Sequence, residues 1–332
     1  MVGVWLKALR VIPQVSKQQW ESYDIVSRWL ISTRAAVFIM TGLAAAIGAL
    51  LAYRSGSFSW PIFLLTFVGL IFAHATNNLL NDYVDYTKGV DKDNYFRALY
   101  GPHPLENGFL TKNRFITYIV VTGLLALMAG LAITYLVGLQ TLWLLIPGLF
   151  FLLFYTWPLK YYGLGEISVV LVWGPLMIGG SYFVVTGGEW SSWVALVSLV
   201  YALGPTTVLL GKHADKLEAD KAKNIHTIPV LIGEKASRYS IIVLWVIQYA
   251  LVAFFVIMGQ LGPAVLLVLL SIPKFIQMSK VMAKKRPLVA PDGKEGAGWP
   301  LYLVSRAFVF NRSFGTLFLL GLIADIIILK FF

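Results

Sequence analysis

Two acid-rich segments hold the residues of this chain that could do chemistry. They are His74-Ala-Thr-Asn-Asn-Leu-Leu-Asn-Asp-Tyr-Val-Asp85 and Lys212-His-Ala-Asp-Lys-Leu-Glu-Ala-Asp220, each at the end of an apolar run long enough to cross a bilayer. Ionisable groups at a membrane boundary are costly unless they pair, coordinate a cation or face a wet cavity, so the two clusters read as one functional site. On a helix, positions i, i+4, i+7, i+8 and i+11 share a face, which puts His74, Asn78, Asn81, Asp82 and Asp85 in one polar stripe that must turn to protein or water. The carboxylates of Asp82 and Asp85 are then neighbours, and like charges that close repel unless a cation sits between them. The chain has no Cys, and for oxygen ligands alone the natural cation is Mg²⁺, which prefers carboxylates, retained waters and phosphate oxygens. Asp91 and Asp93 follow in a loop with Lys88, Lys92 and Arg97. That mixture suits a metal–diphosphate complex, with carboxylates on the metal and cations on the phosphate oxygens.

In the second segment Lys212, Asp215 and Glu218 share a helical face, and Asp220 falls off it unless the helix ends or bends. The alternating charge of Asp215, Lys216, Glu218, Asp220, Lys221 and Lys223 also suits an ordinary solvated helix end. A lone His such as His74, facing a bundle interior, fits a hydrogen-bonded packing residue as well as a ligand.

The elements that position these residues follow from composition. With 58% hydrophobic and 13% charged residues, the sequence predicts an all-α, polytopic membrane protein. Nine helices are expected around a central cavity, at 30–53, 60–81, 115–138, 140–157, 166–187, 191–212, 240–259, 262–280 and 311–331. Residues 1–332 read as one transmembrane domain, preceded within it by an amphipathic segment at 1–29 that lies on the membrane. The net charge of +11 is distributed by loop. Lys and Arg number four in 1–29, five in 82–114, one in 158–165, six in 212–239 and eight in 274–312, with Arg34 beside them; only Arg54 and Lys330 fall on the other side. This asymmetry follows the positive-inside rule and puts the N-terminus and both acidic clusters in the cytoplasm, as for an integral protein of the plasma membrane. It also accounts for the positive charge without nucleic acid as a partner. The acidic clusters recur about 130 residues apart, after the second and sixth helices, which suggests two related halves facing one another across the cavity.

Asn81-Asp-Tyr-Val-Asp85, the later Asp91, and Asp220 followed by Thr227-Ile-Pro-Val-Leu-Ile-Gly233 resemble the two signature regions of the UbiA-type intramembrane prenyltransferases. His103-Pro-Leu-Glu-Asn-Gly-Phe-Leu-Thr111 is similar to that family's Arg-Pro-Leu-x-x-Gly loop, and Tyr155-Thr-Trp-Pro-Leu-Lys160 with Gly163-Leu-Gly-Glu166 to its fourth-to-fifth-helix loop. Gly174-Pro175 through Thr186-Gly187, and Asp85-Tyr-Thr-Lys-Gly-Val-Asp91, most resemble the 1,4-dihydroxy-2-naphthoate branch. The likeness covers residues 30–235 and departs from the pattern in two places. Lys216 stands where the second motif normally has its earlier aspartate, and His103 and Phe109 replace expected arginines.

The resemblance implies transfer of a polyprenyl group from a polyprenyl diphosphate to an aromatic acceptor, 1,4-dihydroxy-2-naphthoate or a similar quinone precursor, as in menaquinone biosynthesis. It implies Mg²⁺ held by Asp82, Asp85, Asp91 and one or more of Asp215, Glu218 and Asp220, with Asp82, Asp85, Asp215 and Asp220 as the catalytic acids. Asn78, Asn81, Lys88, Arg97, Tyr155, Lys160 and Lys212 are the expected substrate contacts, and Tyr155, Tyr161 or Tyr182 could face an allylic carbocation. Hydroxybenzoate, tetrapyrrole or glycerophosphate acceptors would need much the same metal site. A cation or metabolite transporter is the reading from another class, although its acids would be expected at the bilayer midplane.

Overall fold

The sequence condenses into a helical bundle because its apolar runs have no water to satisfy their backbone within a bilayer, leaving the helix as the element that pairs every N–H internally. In the computed structural model, residues 1–90, 101–296 and 299–331 are described. Among them, eight helices are long and apolar enough to cross a membrane. We number the helices α1 (Val2–Arg10), α2 (Lys17–Ser22), α3 (Ile25–Ser32), α4 (Phe38–Arg54), α5 (Trp60–Thr87), α6 (Lys112–Val137) and α7 (Leu142–Phe154). They continue with α8 (Gly165–Val185), α9 (Ser192–Asp215), α10 (Leu217–Ala222), α11 (Glu234–Ile257), α12 (Pro263–Met282) and α13 (Tyr302–Phe331). The expected fourth span, 140–157, corresponds to the shorter apolar helix Leu139–Phe154. The protein is an integral membrane protein. The most apolar window of α6 has a mean hydropathy of 2.3 yet only 17% of it is buried, a combination that lipid contact resolves.

Two features set how the helices approach. Gly48 on α4 lies against the backbone of α8, where a Cβ would stand 2.4 Å from the Ile178 carbonyl oxygen. Gly211 on α9 lies against α13, where a Cβ would stand 3.0 Å from the Val304 Cα. Such small-residue contacts replace the hydrophobic drive that lipid removes. Polar side chains lock the same bundle: Trp245 Nε1 donates to Thr207 Oγ1 at 3.1 Å, Gln248 Nε2 to the Val200 carbonyl at 2.7 Å, and Tyr201 Oη to the Met40 carbonyl at 3.1 Å.

Two buried aspartates cap helices of the bundle. Asp215, at the end of α9, accepts the N–H groups of Leu303 (2.9 Å) and Val304 (3.0 Å) in the first turn of α13, and Arg286 Nε pairs with it at 2.9 Å. Asp325, near the far end of α13, accepts the Ala264 N–H at 2.8 Å in the first turn of α12. Each carboxylate satisfies N–H donors that a helix start leaves over. The capping explains why α13 begins at Tyr302, nine residues before the expected 311: Arg306 and Arg312 dilute its hydropathy, but its start is fixed by Asp215.

At the N-terminus, α1 exposes Val2, Leu6 and Leu9 while Trp5 Nε1 reaches Asp24 Oδ2 at 3.2 Å. Asp24 also caps α3, and the Ser27 N–H it accepts holds its carboxyl below the usual carboxylate range.

Asp215→Ala should cost about 3 kcal/mol, since it leaves Arg286 and a buried helix start without their acceptor. The thermal midpoint in detergent should fall by several degrees, whereas Glu218→Ala, at an exposed position, should leave it unchanged.

Candidate active site

The polar face of α5 turns inward. Asn81, Asp82 and Asp85 are buried, and His74, Asn78 and Asn81 line an open cavity of about 1240 Å³ among the helices. Its wall is mostly aliphatic and aromatic, with Leu124, Leu145, Trp173 and Phe308 among the lining groups, while Arg34, Lys160 and Lys212 bring positive charge to it.

Asp82 pairs with Arg34, Nη1 to Oδ1 at 2.9 Å. Arg34 sits at the break between α3 and α4 with φ 55°, a left-handed backbone that L side chains adopt at a cost of about 1 kcal/mol. The surroundings hold it there: Arg34 Nη2 donates to the Asn78 carbonyl at 3.0 Å and to Asn78 Oδ1 at 3.2 Å, while Asn78 Nδ2 donates to the Thr33 carbonyl at 2.8 Å. Asp85, one turn further along α5, receives Lys160 Nζ on both oxygens at 2.7 and 2.9 Å. Lys160 lies in a single helical turn, Leu159–Tyr162, and is itself buried. Asn81 Nδ2 reaches Thr156 Oγ1 at 3.2 Å in the same loop.

Just beyond the two acid-rich segments the chain meets itself: Lys223 Nζ donates to the Gly89 carbonyl at 3.0 Å, and the His226 N–H to the Tyr161 carbonyl at 3.1 Å. The second segment does not present a single face. The helix breaks at Lys216 and restarts as α10, so Asp215 caps α13, Glu218 is exposed, and Asp220 is buried with Lys216 Nζ 3.5 Å from its carboxylate. Among the described residues, no three His, Cys, Asp or Glu side chains form a metal-binding group. Asp82 and Asp85 alone still suit Mg²⁺, which characteristically takes one or two carboxylates and fills its sphere with waters and phosphate oxygens. Asp91 and Arg97 lie outside the described residues.

The other expected contacts are distributed unevenly. Lys88 is exposed, its Nζ over the rings of Trp157 (4.8 Å) and Tyr161 (5.4 Å). Tyr155 and Lys212 line the cavity, whereas Tyr182 packs in the core. Burial, with the Glu166 and Asp85 carboxylates nearby, pushes the Tyr155 phenol up, so its ring stays neutral. His74 accepts or donates at Nδ1 to Thr41 Oγ1 (2.7 Å) and stands edge-on to Trp173 at 5.6 Å, as a packing residue would.

A family model described as the UbiA prenyltransferase family matches residues 39–292. The chain belongs to the UbiA prenyltransferase family. A "UbiA prenyltransferase domain-containing protein 1 homolog" of Drosophila melanogaster is 27% identical over 246 residues, 70% of this chain and 65% of that protein. The 1,4-dihydroxy-2-naphthoate octaprenyltransferase of Escherichia coli is 28% identical over 222 residues, 64% of this chain and 70% of that protein. The alignments thus span somewhat under two thirds of the Drosophila relative and 59% of a Xenopus tropicalis one. Among solved structures, a UbiA homolog from Archaeoglobus fulgidus bound to DMAPP and Mg²⁺ superposes with a TM-score of 0.60 at 17% identity, covering 90% of this chain and 99% of that one. The fold is therefore that of the family.

Arg34 and His213 line the cavity, His213 with the buried Glu166 as its partner (Nδ1 to Oε1, 2.7 Å), and sequence reasoning assigned a role to none of the three. The signal available for Arg34 was a lone cation beside the first membrane span. If Arg34 and Asp82 stabilise the bundle as a pair, a double-substitution cycle of Arg34→Ala and Asp82→Asn should show coupling of about 1 to 3 kcal/mol in thermal unfolding. Additive losses would mean that the pair is not coupled.

Proposed function

We propose that this protein transfers a polyprenyl group from a polyprenyl diphosphate to an aromatic acceptor, 1,4-dihydroxy-2-naphthoate or a similar quinone precursor, with Mg²⁺ as cofactor. One observation carries the reading: two buried ion pairs, Arg34–Asp82 and Lys160–Asp85, stand at a large cavity with a mainly apolar wall. A charged end on an apolar chamber is the shape of a diphosphate bearing a hydrocarbon chain. The likenesses to a naphthoate octaprenyltransferase and to homologs bound to GPP or DMAPP with Mg²⁺ support the same reading.

Asp82 and Asp85 would hold the metal, with Asp220 the remaining candidate from the second segment, because Asp215 already satisfies a helix start and Glu218 is exposed. When bound, Mg²⁺ supplies positive charge to the diphosphate. Arg34 and Lys160 would donate to phosphate oxygens and offset the charge that develops as the diphosphate leaves. Lys88, exposed near Lys160, would draw the anion in from the cytoplasm. The C1–oxygen bond of the prenyl group breaks with its electron pair passing to the diphosphate, and the acceptor ring carbon forms the new bond to C1. The mainly apolar wall would limit the water that could capture the allylic cation, and the rings of Trp173 and Tyr155, which line the cavity, would stabilise it by cation–π attraction. In the naphthoate case the ring carboxylate leaves as carbon dioxide and its bonding electrons restore aromaticity.

The protein resides in this reading in the plasma membrane, with its basic loops and site facing the cytoplasm. Purified protein in lipid discs, given geranylgeranyl diphosphate, Mg²⁺ and 1,4-dihydroxy-2-naphthoate, should release diphosphate and yield a prenylated, decarboxylated naphthoate by mass spectrometry. EDTA should stop the reaction and Mg²⁺ restore it. Asp85→Ala should lower turnover by at least about a hundredfold while the protein elutes as a folded species. Product with another acceptor would keep the prenyl transfer and discard the naphthoate; no product across a panel of acceptors would overturn the reading.

A further inference from the structure

A second cavity, of about 590 Å³, lies between the end of α12 and the start of α13. Pro273, Ile276 and Val309 give it an apolar part, and Lys280, Lys284 and Arg306 bring three cations to it. Among the described residues that line it, none is acidic. Glu234, in the first turn of α11, is engaged by Arg238 Nε at 2.8 Å and by the Arg286 N–H at 2.9 Å. The rim is held in place: Arg238 Nη1 donates at 2.6 Å to the carbonyl of Met282, the last residue of α12, and Arg306 Nη1 donates to the Tyr302 carbonyl at 3.2 Å and to Ser305 Oγ at 3.0 Å. Pro273, Ile276 and Lys280 stand at i, i+3 and i+7 on one face of α12, and Lys284 follows two residues past its end. At the helical rise, Lys280 is about 10 Å along the axis from Pro273. On α13 the order is the same, with Arg306 near the start and Val309 about one turn further into the span. This is the end of the bundle at which α9 finishes, since Arg286, just beyond α12, pairs with Asp215.

We propose that this groove binds an anionic phospholipid, its phosphate among Lys280, Lys284 and Arg306 and an acyl chain along Pro273, Ile276 and Val309. The occupant is a lipid because charge and apolar surface follow one another along two membrane-spanning helices, an order that matches a headgroup above its chain. A soluble anion would leave the apolar part uncovered. The head is anionic because three cations without a lining acid favour net negative charge, whereas a choline or ethanolamine head would add a fourth cation. Each Lys or Arg near a charged membrane surface is worth about fivefold in affinity, and basic pockets between membrane helices hold such heads. Lysine suits the place, since its stem covers apolar surface while the ammonium reaches out to the phosphate. A basic face attracts anionic lipid in general, but a groove between two helices makes one saturable site. Ser305 and Val309 line both this groove and the large cavity, so the bound lipid lies against the outer side of the cavity wall. The site is independent of the reaction proposed above.

The test is binding of phosphatidylglycerol and of phosphatidylcholine with the same acyl chains to the full chain in detergent, read by native mass spectrometry. Wild type should hold one phosphatidylglycerol at least about tenfold more tightly than phosphatidylcholine. Lys280→Ala combined with Lys284→Ala should weaken phosphatidylglycerol by about tenfold or more and leave phosphatidylcholine within about twofold. Both lysines are exposed, so their truncation leaves the packing intact. Lys7→Ala combined with Lys17→Ala removes the same charge from exposed positions that do not line the groove, and should leave phosphatidylglycerol within about twofold. Equal weakening in the two double variants would mean general attraction to a basic face and would overturn the site. Equal wild-type affinity for the two lipids, or unchanged affinity without Lys280 and Lys284, would do the same. Inorganic phosphate should fail to displace the lipid, and displacement would overturn the lipid in favour of a soluble anion.

Discussion

The structure depends on the cost of holding carboxylates out of water at a membrane boundary. Asp82 and Asp85 are 1% and 5% exposed, and an unpaired charge in such a place would shift the helix outward or neutralise itself. Each therefore needs a cation from another element. Arg34 comes from the break between α3 and α4, and Lys160 from the turn after α7. Satisfying the acids of one helix fixes the position of two loops. The left-handed backbone at Arg34 is the visible local cost of that requirement, offset by the hydrogen bonds that Asn78 makes on both sides of the break.

Paired in this way, the site is close to neutral, and its charges can change partners without a net change in the cavity. Carboxylates that face cations in the free protein suit a metal, and the same cations suit phosphate oxygens. In the proposed reading, bringing a metal–diphosphate pair into contact with the two ion pairs would exchange four electrostatic partners and add little uncompensated charge to a low-dielectric chamber. That exchange suits a chamber whose wall must remain dry along the rest of its length.

Local periodicity made the first half of this arrangement legible. The spacing from His74 to Asp85 survives as one inward face because α5 runs unbroken from Trp60 to Thr87, past the apolar segment expected to end at 81. The loop motif holding Tyr155 and Lys160 also reaches the cavity wall. The pairing of Glu166 with His213 spans 47 residues and carries no period, so nothing local announces it. Arg34 was visible only as charge, since its role depends on a backbone conformation that no hydrophobic pattern encodes. The short α7, with Pro147 inside it, was legible as apolar but not as a helix of only 13 residues.

The second acid-rich segment shows why a shared face cannot be assumed at a helix end. Lys212, Asp215 and Glu218 would align on a continuous helix, but the chain breaks at Lys216, where the backbone reaches φ −103° and ψ 9°. Beyond that break the facing rotates, Asp220 becomes the buried acid and Glu218 the exposed one. Asp215, before it, has its oxygens engaged by two N–H groups and Arg286. The two acidic segments thus differ in the work of each acid. On α5 the acids stay in register as neighbours along one face, whereas after α9 one acid builds the bundle and another, five residues on, is buried beside Lys216. A lysine at the position where the family's second motif has its first aspartate fits this division, because Lys216 neutralises Asp220 from one turn away and leaves the structural load to Asp215.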